Sequence, residues 1–165
     1  MTKFDPDAFM NQTIDAPIAD DYVLCPEGEY EGRIDDFDNK VFRTNEFTYK
    51  QGPNEGLPGE MTTCNLPWVI NDDKVRALLN RDKVIVFQPI ILDFDDNGQL
   101  DTGLNKNVAL GKVRTAVGQK DMQPWGISRL RGAGPCMVRV THKTVKRKDG
   151  SEVKLAEVTR VVPIK

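Results

Sequence analysis

The last thirty residues, from Cys136 onward, leave the chain the fewest choices. "CMVRVTHKTVKRK" and "SEVKLAEVTRVVPIK" both alternate, and they flank Lys148-Asp149-Gly150. Asp-Gly between two alternating runs is among the strongest short hairpin signals, because a two-residue turn needs positive φ and these residues tolerate it. Cys136, Val138 and Val140 face one way, and Met137, Arg139 and Thr141 the other. A lone two-stranded ribbon is at best marginally stable in water, so its apolar face must be covered by further strands.

Those strands are readable upstream. "EYEGRIDDF" alternates, with Tyr30, Gly32 and Ile34 on one face and Glu31, Arg33 and Asp35 on the other. "KVFRTNEFTYK" continues with β-branched and aromatic residues. "QGPNEGLPGE" (51–60) reads as a flexible loop, and "MTTCNLPWVI" (61–70) as a strand in which Pro67 marks an edge or a bulge. "NDDKVRALLNRD" predicts a short helix capped by Asn71 or Asp72, with Val75, Leu78 and Leu79 on one face. "KVIVFQPIILDF" (83–94) is the most apolar strand, with Pro89 as a break or edge position. In "LNKNVALGKVRTAVGQ" a second helix, beginning near Lys106, aligns Leu110, Val113 and Val117, and Gly118 stops it. Residues 1–26 read as an acidic arm, because Pro6, Pro17 and Pro26 interrupt it and its single apolar residues cannot form a core. Residues 27–165 then form one domain. It is mainly β, a compact antiparallel barrel of five or six strands with one or two short helices, one of them inserted before the closing hairpin. That order fits the five-stranded oligonucleotide-binding barrel; a β-sandwich is the alternative.

Composition agrees with a soluble globular chain, at 39% hydrophobic and 29% charged residues. No apolar run approaches the roughly 20 residues that cross a bilayer, so no membrane association is expected. "MTKFDPDAF" lacks the apolar stretch of a signal peptide, which leaves the Asn11-Gln12-Thr13 sequon without a glycosylating compartment. Cys25, Cys64 and Cys136 are scattered singly, as expected of reduced thiols in a cytoplasm-like compartment. With His142 as the one histidine and no Cys-x-x-Cys pair, no structural zinc is expected. The same poverty argues against a Ser-His-Asp or Cys-His site, and no phosphate-binding or dinucleotide fingerprint occurs. The expectation is a non-enzymatic protein without catalytic residues or cofactor.

One loop tempts a metal reading. Asp93-x-Asp95-x-Asn97-Gly98 has the spacing that opens a calcium loop. The twelfth position, which supplies a bidentate Glu, is Leu104, and the element in front is a strand. The expected role of the loop is a turn leading to the helix, and no metal site is expected.

The charge distribution is uneven. Eleven acids against Lys3, Arg33 and Lys40 leave residues 1–40 at −8, and with the whole chain at −2 the remainder stands at +6. Cations concentrate in "RLRGAG" and in the terminal hairpin. Arg129, Arg131, Arg139, Lys143, Lys146 and Arg147 are candidates for binding phosphates, with Arg139, Thr141 and Lys143 aligned on one face. Phe47, Tyr49, Trp68 and Trp125 are candidates for stacking on unpaired bases.

Together, "PEGEYEGRI" after an acidic arm, "ILDFDDNGQLDTGLNKNVALGKVRTAVGQ", "LRGAGPCMVRVTHK" and the closing basic hairpin resemble small phage-encoded single-stranded DNA-binding proteins of the oligonucleotide-barrel type, from replication and recombination gene clusters. The resemblance covers roughly residues 22–165. It implies coating of single-stranded DNA without sequence preference in the cytoplasm of an infected host, commonly by a homodimer. Many such proteins carry a partner-recruiting acidic tail at the C-terminus. This chain ends "TRVVPIK" and bears its acids at the other end. Its arm is therefore expected to contact phage or host replication proteins, or to compete with DNA. The alternative expectation is a phage structural protein of the virion, capsid-decorating or assembling, whose arm clasps a neighbour through Phe4 and Phe9.

Overall fold

A computed structural model describes residues 3–164. In chain order the elements are α1 (Pro6–Met10), β1 (Gly28–Ile34), β2 (Phe42–Thr48), β3 (Pro58–Ile70), α2 (Asp73–Leu79), β4 (Ile85–Leu92), α3 (Val108–Ala116), β5 (Cys136–Lys146) and β6 (Glu152–Val162). Short 3₁₀ turns precede β2 and β5.

All six strands among the described residues belong to one sheet, in the order β1-β5-β6-β4-β3-β2, and β1 also pairs with β3. The second pairing bends the sheet into a ring of five strands, β1-β5-β6-β4-β3, with β2 outside as a partner of β3. The mainly β, barrel-like expectation therefore holds, in place of a two-sheet sandwich. The sheet is not wholly antiparallel. β4 and β6 run parallel and meet at a single bridge, Phe87 to Glu157. The chain passes through α3 and β5 between these two strands; β5 runs against β6 and hence against β4, so two reversals bring β6 back in the direction of β4. The remaining pairs are antiparallel.

The inward residues follow from the alternation of each strand. Ile34, Leu66, Trp68, Ile70, Val86, Ile90, Cys136, Val138, Val140 and Val158 are buried in one core. Each fully buried aliphatic side chain contributes about 1.5–3 kcal/mol over exposure. α3 closes one side of that core with Leu110, Val113 and Ala116, which recur at helical spacing. It starts at Val108, two residues later than Lys106, because Asn107 is held elsewhere. The Asn107 side chain accepts from the Asp93 N–H and donates to the Asp93 and Asp101 carbonyls.

Four local differences have plain causes. β3 begins at Pro58, so the expected loop is shorter, because Thr48 pairs with Pro58 and extends the β2–β3 hairpin. Pro67 lies inside β3, where the strand changes partner from β2 to β1. Its carbonyl accepts from the Asp35 N–H, so its nitrogen points to that same flank, where no ladder bond is lost. In α2, Val75 is buried but Leu78 is exposed, so only part of the expected apolar face reaches the core. Pro6 starts a helix instead of breaking one, since proline suits the first helical turn and Asp5 caps it through the Asp7 and Ala8 N–H groups.

Every residue from Lys3 to Val23 is exposed, whereas Cys25 is buried. His142 anchors the chain there: its Nε2 lies 2.8 Å from the Cys25 carbonyl, and its backbone N–H donates to Glu27. No helix among the described residues is long and apolar enough to cross a membrane.

Candidate functional site

The register of β2, β3 and β4 determines which side chains share the outer face. Phe47 lies opposite Gly59, Asn45 opposite Met61, and Arg43 opposite Thr63. Thr63 lies opposite Ile91, Asn65 opposite Pro89, and Pro67 opposite Phe87. Directly paired residues point the same way. Arg43, Phe47, Met61, Phe87 and Ile91 therefore emerge on one side, and the buried Val86, Gln88 and Ile90 on the other. Phe87 is 46% and Ile91 55% exposed, with Ile85 beside them. A central strand of the ring thus holds a row of uncovered apolar side chains, and such rows mark contact surfaces.

Two hairpins rise at the ends of this row. The β2–β3 hairpin runs past the Leu92 end of β4. Near its tip Phe47 and Tyr49 pack edge to face, with ring centroids 4.9 Å apart. Gly59 makes the packing possible, since a Cβ there would sit 2.7 Å from the Tyr49 ring and 2.8 Å from that of Phe47. The β5–β6 hairpin runs past the Ile85 end, because β6 parallels β4 and its first residues lie beyond the bridge. That hairpin carries Lys143, Lys146 and Arg147, all exposed.

The structure brings only some of the expected residues together. Phe47 and Tyr49 share the outer face. Arg139, Thr141 and Lys143 align as predicted, and Lys143 lies 3.5 Å from the Glu157 carboxylate. Lys146 falls on the opposite face of the ribbon, by alternation. Arg129 and Arg131 lie at the far end of β5, on the order of 30 Å from Lys146 at the rise of an extended strand. Arg131 faces Asp36 at 3.8 Å. A single groove containing all six cations is therefore not what forms.

Trp68 is a correction. It is 0% exposed at the centre of the core, and its indole N–H donates to Gln88 Oε1 at 2.8 Å. Its even-numbered place in β3 points it inward, so it is not available to stack on a ligand. Trp125 is half-buried. Its N–H donates to Gln119, and the Arg114 guanidinium lies 4.7 Å from the ring centroid. Its ring lines an apolar pocket of about 530 Å³ with Phe42, Leu92, Phe94 and Leu110.

Three of the four acids of the 93–101 loop, Asp93, Asp95 and Asp101, are occupied with the backbone. Asp95 accepts from the Asn97 and Gln99 N–H groups, and Asp101 from Gly103. Phe94 and Leu100 form a bridge across the turn. No group of three metal-ligating side chains occurs among the described residues. Burial pushes the thiols of Cys25, Cys64 and Cys136 up to about 11, so they are protonated and inert near neutrality.

Sequence reasoning missed Phe87, Ile85 and Ile91. The signal was present: "VIVFQPIIL" is apolar at both odd and even positions, whereas a ring buries only one of those sets. It also missed a cleft of about 1070 Å³ between α3 and β6, whose lining includes Lys106, Lys112, Arg114, Lys120 and Arg160. Comparison with protein-family models, with curated proteins and with solved structures finds no match to this chain.

Proposed function

We propose that this chain is a non-enzymatic phage protein that coats single-stranded DNA without sequence preference during replication or recombination, in the cytoplasm of the infected host. The observation that carries the reading is the exposed apolar row of β4 between two hairpins, one ending in aromatics and the other in cations. In five-stranded oligonucleotide-binding barrels, the face of the second and third strands and the flanking hairpin loops hold the ligand. Here β3 and β4 are the second and third strands of the ring. Bases stack on Phe87 and on the Phe47–Tyr49 pair, and phosphates meet Arg43, Lys143 and Arg147. Stacking tolerates any base, because every base has a π-face, which accounts for binding without sequence preference.

Fluorescence anisotropy of labelled oligo-dT tests this directly. Phe87→Ala should weaken binding by about 1–3 kcal/mol, the worth of one stacked base. Its melting temperature should stay close to that of the parent, because the ring is already half in water. Undiminished affinity in a folded Phe87→Ala protein would refute the assignment of this face.

A second reading rests on the arm, whose Phe4, Phe9, Met10, Ile14 and Ile18 are all exposed. Side chains of that kind suit a clasp on another subunit, as in a capsid-decorating or assembly protein of the virion. High copy number in purified virions would favour that role over DNA coating.

A further inference from the structure

The cleft between α3 and β6 stands apart from the outer face of β4 and is built differently. It opens where β4 and β6 part company. They touch at Phe87 and Glu157, and just beyond that bridge Gln88 of β4 and Thr159 to Val162 of β6 line the gap. α3 covers it with Val108, Gly111, Lys112 and Thr115, which share one side at helical spacing. At about 1070 Å³ it lies just above the range of roughly 300–1,000 Å³ for small-molecule pockets.

Its chemistry is one-sided. Lys106, Lys112, Arg114, Lys120 and Arg160 line it, and no carboxylate does. Among the described residues, Lys106, Lys112, Lys120 and Arg160 have no acid within ion-pair distance. Arg160 also lies directly opposite Arg139 across β5–β6, beside the register shift. Like charges in direct cross-strand pairing are destabilising unless an anion lies between them. Glu29, which faces Arg139 from β1, makes no ion pair with it. Gln88 adds a polar group beneath the cations. It is 7% exposed, its Oε1 is taken by Trp68, and its amide nitrogen has no partner among the described residues. No fully buried side-chain nitrogen among the described residues lacks a partner, so that amide keeps a little exposure, and Gln88 lines the cleft.

We propose that this cleft takes backbone phosphates of a single strand of nucleic acid, continuing the path of a strand whose bases stack at Phe87. The inference rests on the outer-face reading above and extends it to a second, purely electrostatic segment. Phosphates meet Lys106, Lys112, Lys120 and Arg160, and the amide of Gln88 donates to one of them. Arg114 is held by the Gln119 and Met122 carbonyls and supports the wall.

The test uses the full chain carrying Lys106→Gln, Lys112→Gln and Lys120→Gln together. All three side chains are exposed, so the fold should survive, and a thermal melt checks it. A control carries Lys40→Gln and Lys74→Gln, which lie outside the cleft. Binding is measured with oligo-dT of about 6 and about 20 nucleotides, one near the lower end of the roughly 4–16 nucleotides that one barrel covers and one beyond its upper end. The cleft variant should bind the short strand like the parent and lose at least tenfold on the long one. Its salt dependence on the long strand should be shallower by about 2, from three lost phosphate contacts at roughly 0.7 each. The control should show neither change. An unchanged salt slope and affinity on the long strand would overturn the cleft while leaving the Phe87 face standing. Failure of the parent protein to bind either strand would overturn both. Tight binding of dTMP alone, lost in the cleft variant, would make this a mononucleotide pocket and would also overturn the proposal.

Discussion

At the scale of single residues, burial separates side chains that look alike in the sequence. Trp68 and Phe87 are both aromatic residues in apolar strands, one residue out of phase in the paired register. Trp68 points inward and donates to Gln88, so Trp68→Ala should cost about 3–5 kcal/mol of stability in urea unfolding, as large-to-small changes in a packed core do. A loss below about 1 kcal/mol would mean that the indole does not fill the core. The three cysteines give a pH test. Burial raises their thiols to about 11 from an ordinary value near 9. A raised value in the folded state favours the folded protein fully below the unfolded value, and the benefit is lost as pH climbs through the folded one. Unfolding free energy should therefore fall between about pH 9 and pH 11, and Cys64→Ala should flatten that fall. Stability independent of pH across this window would contradict the burial of the thiols.

At the scale of elements, the terminal hairpin shows local sequence setting local structure. Asp149 accepts from both the N–H and the hydroxyl of Ser151, and Gly150 adopts φ +89°. The Ser151 bonds hold the Asp149 carboxyl below its ordinary range, which favours the ionised form that shapes the turn. Asp149→Ala should speed amide hydrogen exchange at Ser151 and along Lys146–Glu152, with the core near Trp68 unaffected. Equal protection in both proteins would show that the turn is held by the strands alone. This hairpin was legible because its alternation and its turn lie within a few residues of one another. Pro67 was not: whether a proline interrupts a strand depends on which neighbour lies on its flank, and β3 exchanges β2 for β1 at that point.

At the scale of the whole molecule, the acidic arm and the basic remainder are the largest feature, −8 against +6. Deleting residues 1–20 removes exposed carboxylates while leaving the anchor at Cys25 and His142 in place. If the arm competes with DNA for the cations of the body, the truncated protein should bind oligo-dT more tightly at low salt. The advantage should fade as added salt screens both interactions. Equal affinity of the two proteins at low salt would exclude a competing arm. The ring itself also has a weak seam. β4 and β6 share one bridge, and α3 fills the opening beyond it.

Taken alone, the sequence determined the β-rich class, the closing hairpin, the two body helices and the inward sets of β1 and of the start of β5. These follow from periodicities of two and 3.6 residues and from turn chemistry, which act between near neighbours. It also singled out Phe47 and Tyr49, which are exposed, and aligned Arg139, Thr141 and Lys143 on the outer face of the hairpin. Only the tertiary structure decided that Trp68 is core, that Arg129 and Arg131 lie far from the hairpin cations, and that Phe87 faces outward between two hairpins. It alone assembled Lys112 of α3 and Arg160 of β6 around one cleft. Exposure and proximity of this kind arise when β1 meets β3 and β4 meets β6, contacts between residues far apart in the chain that no local pattern encodes.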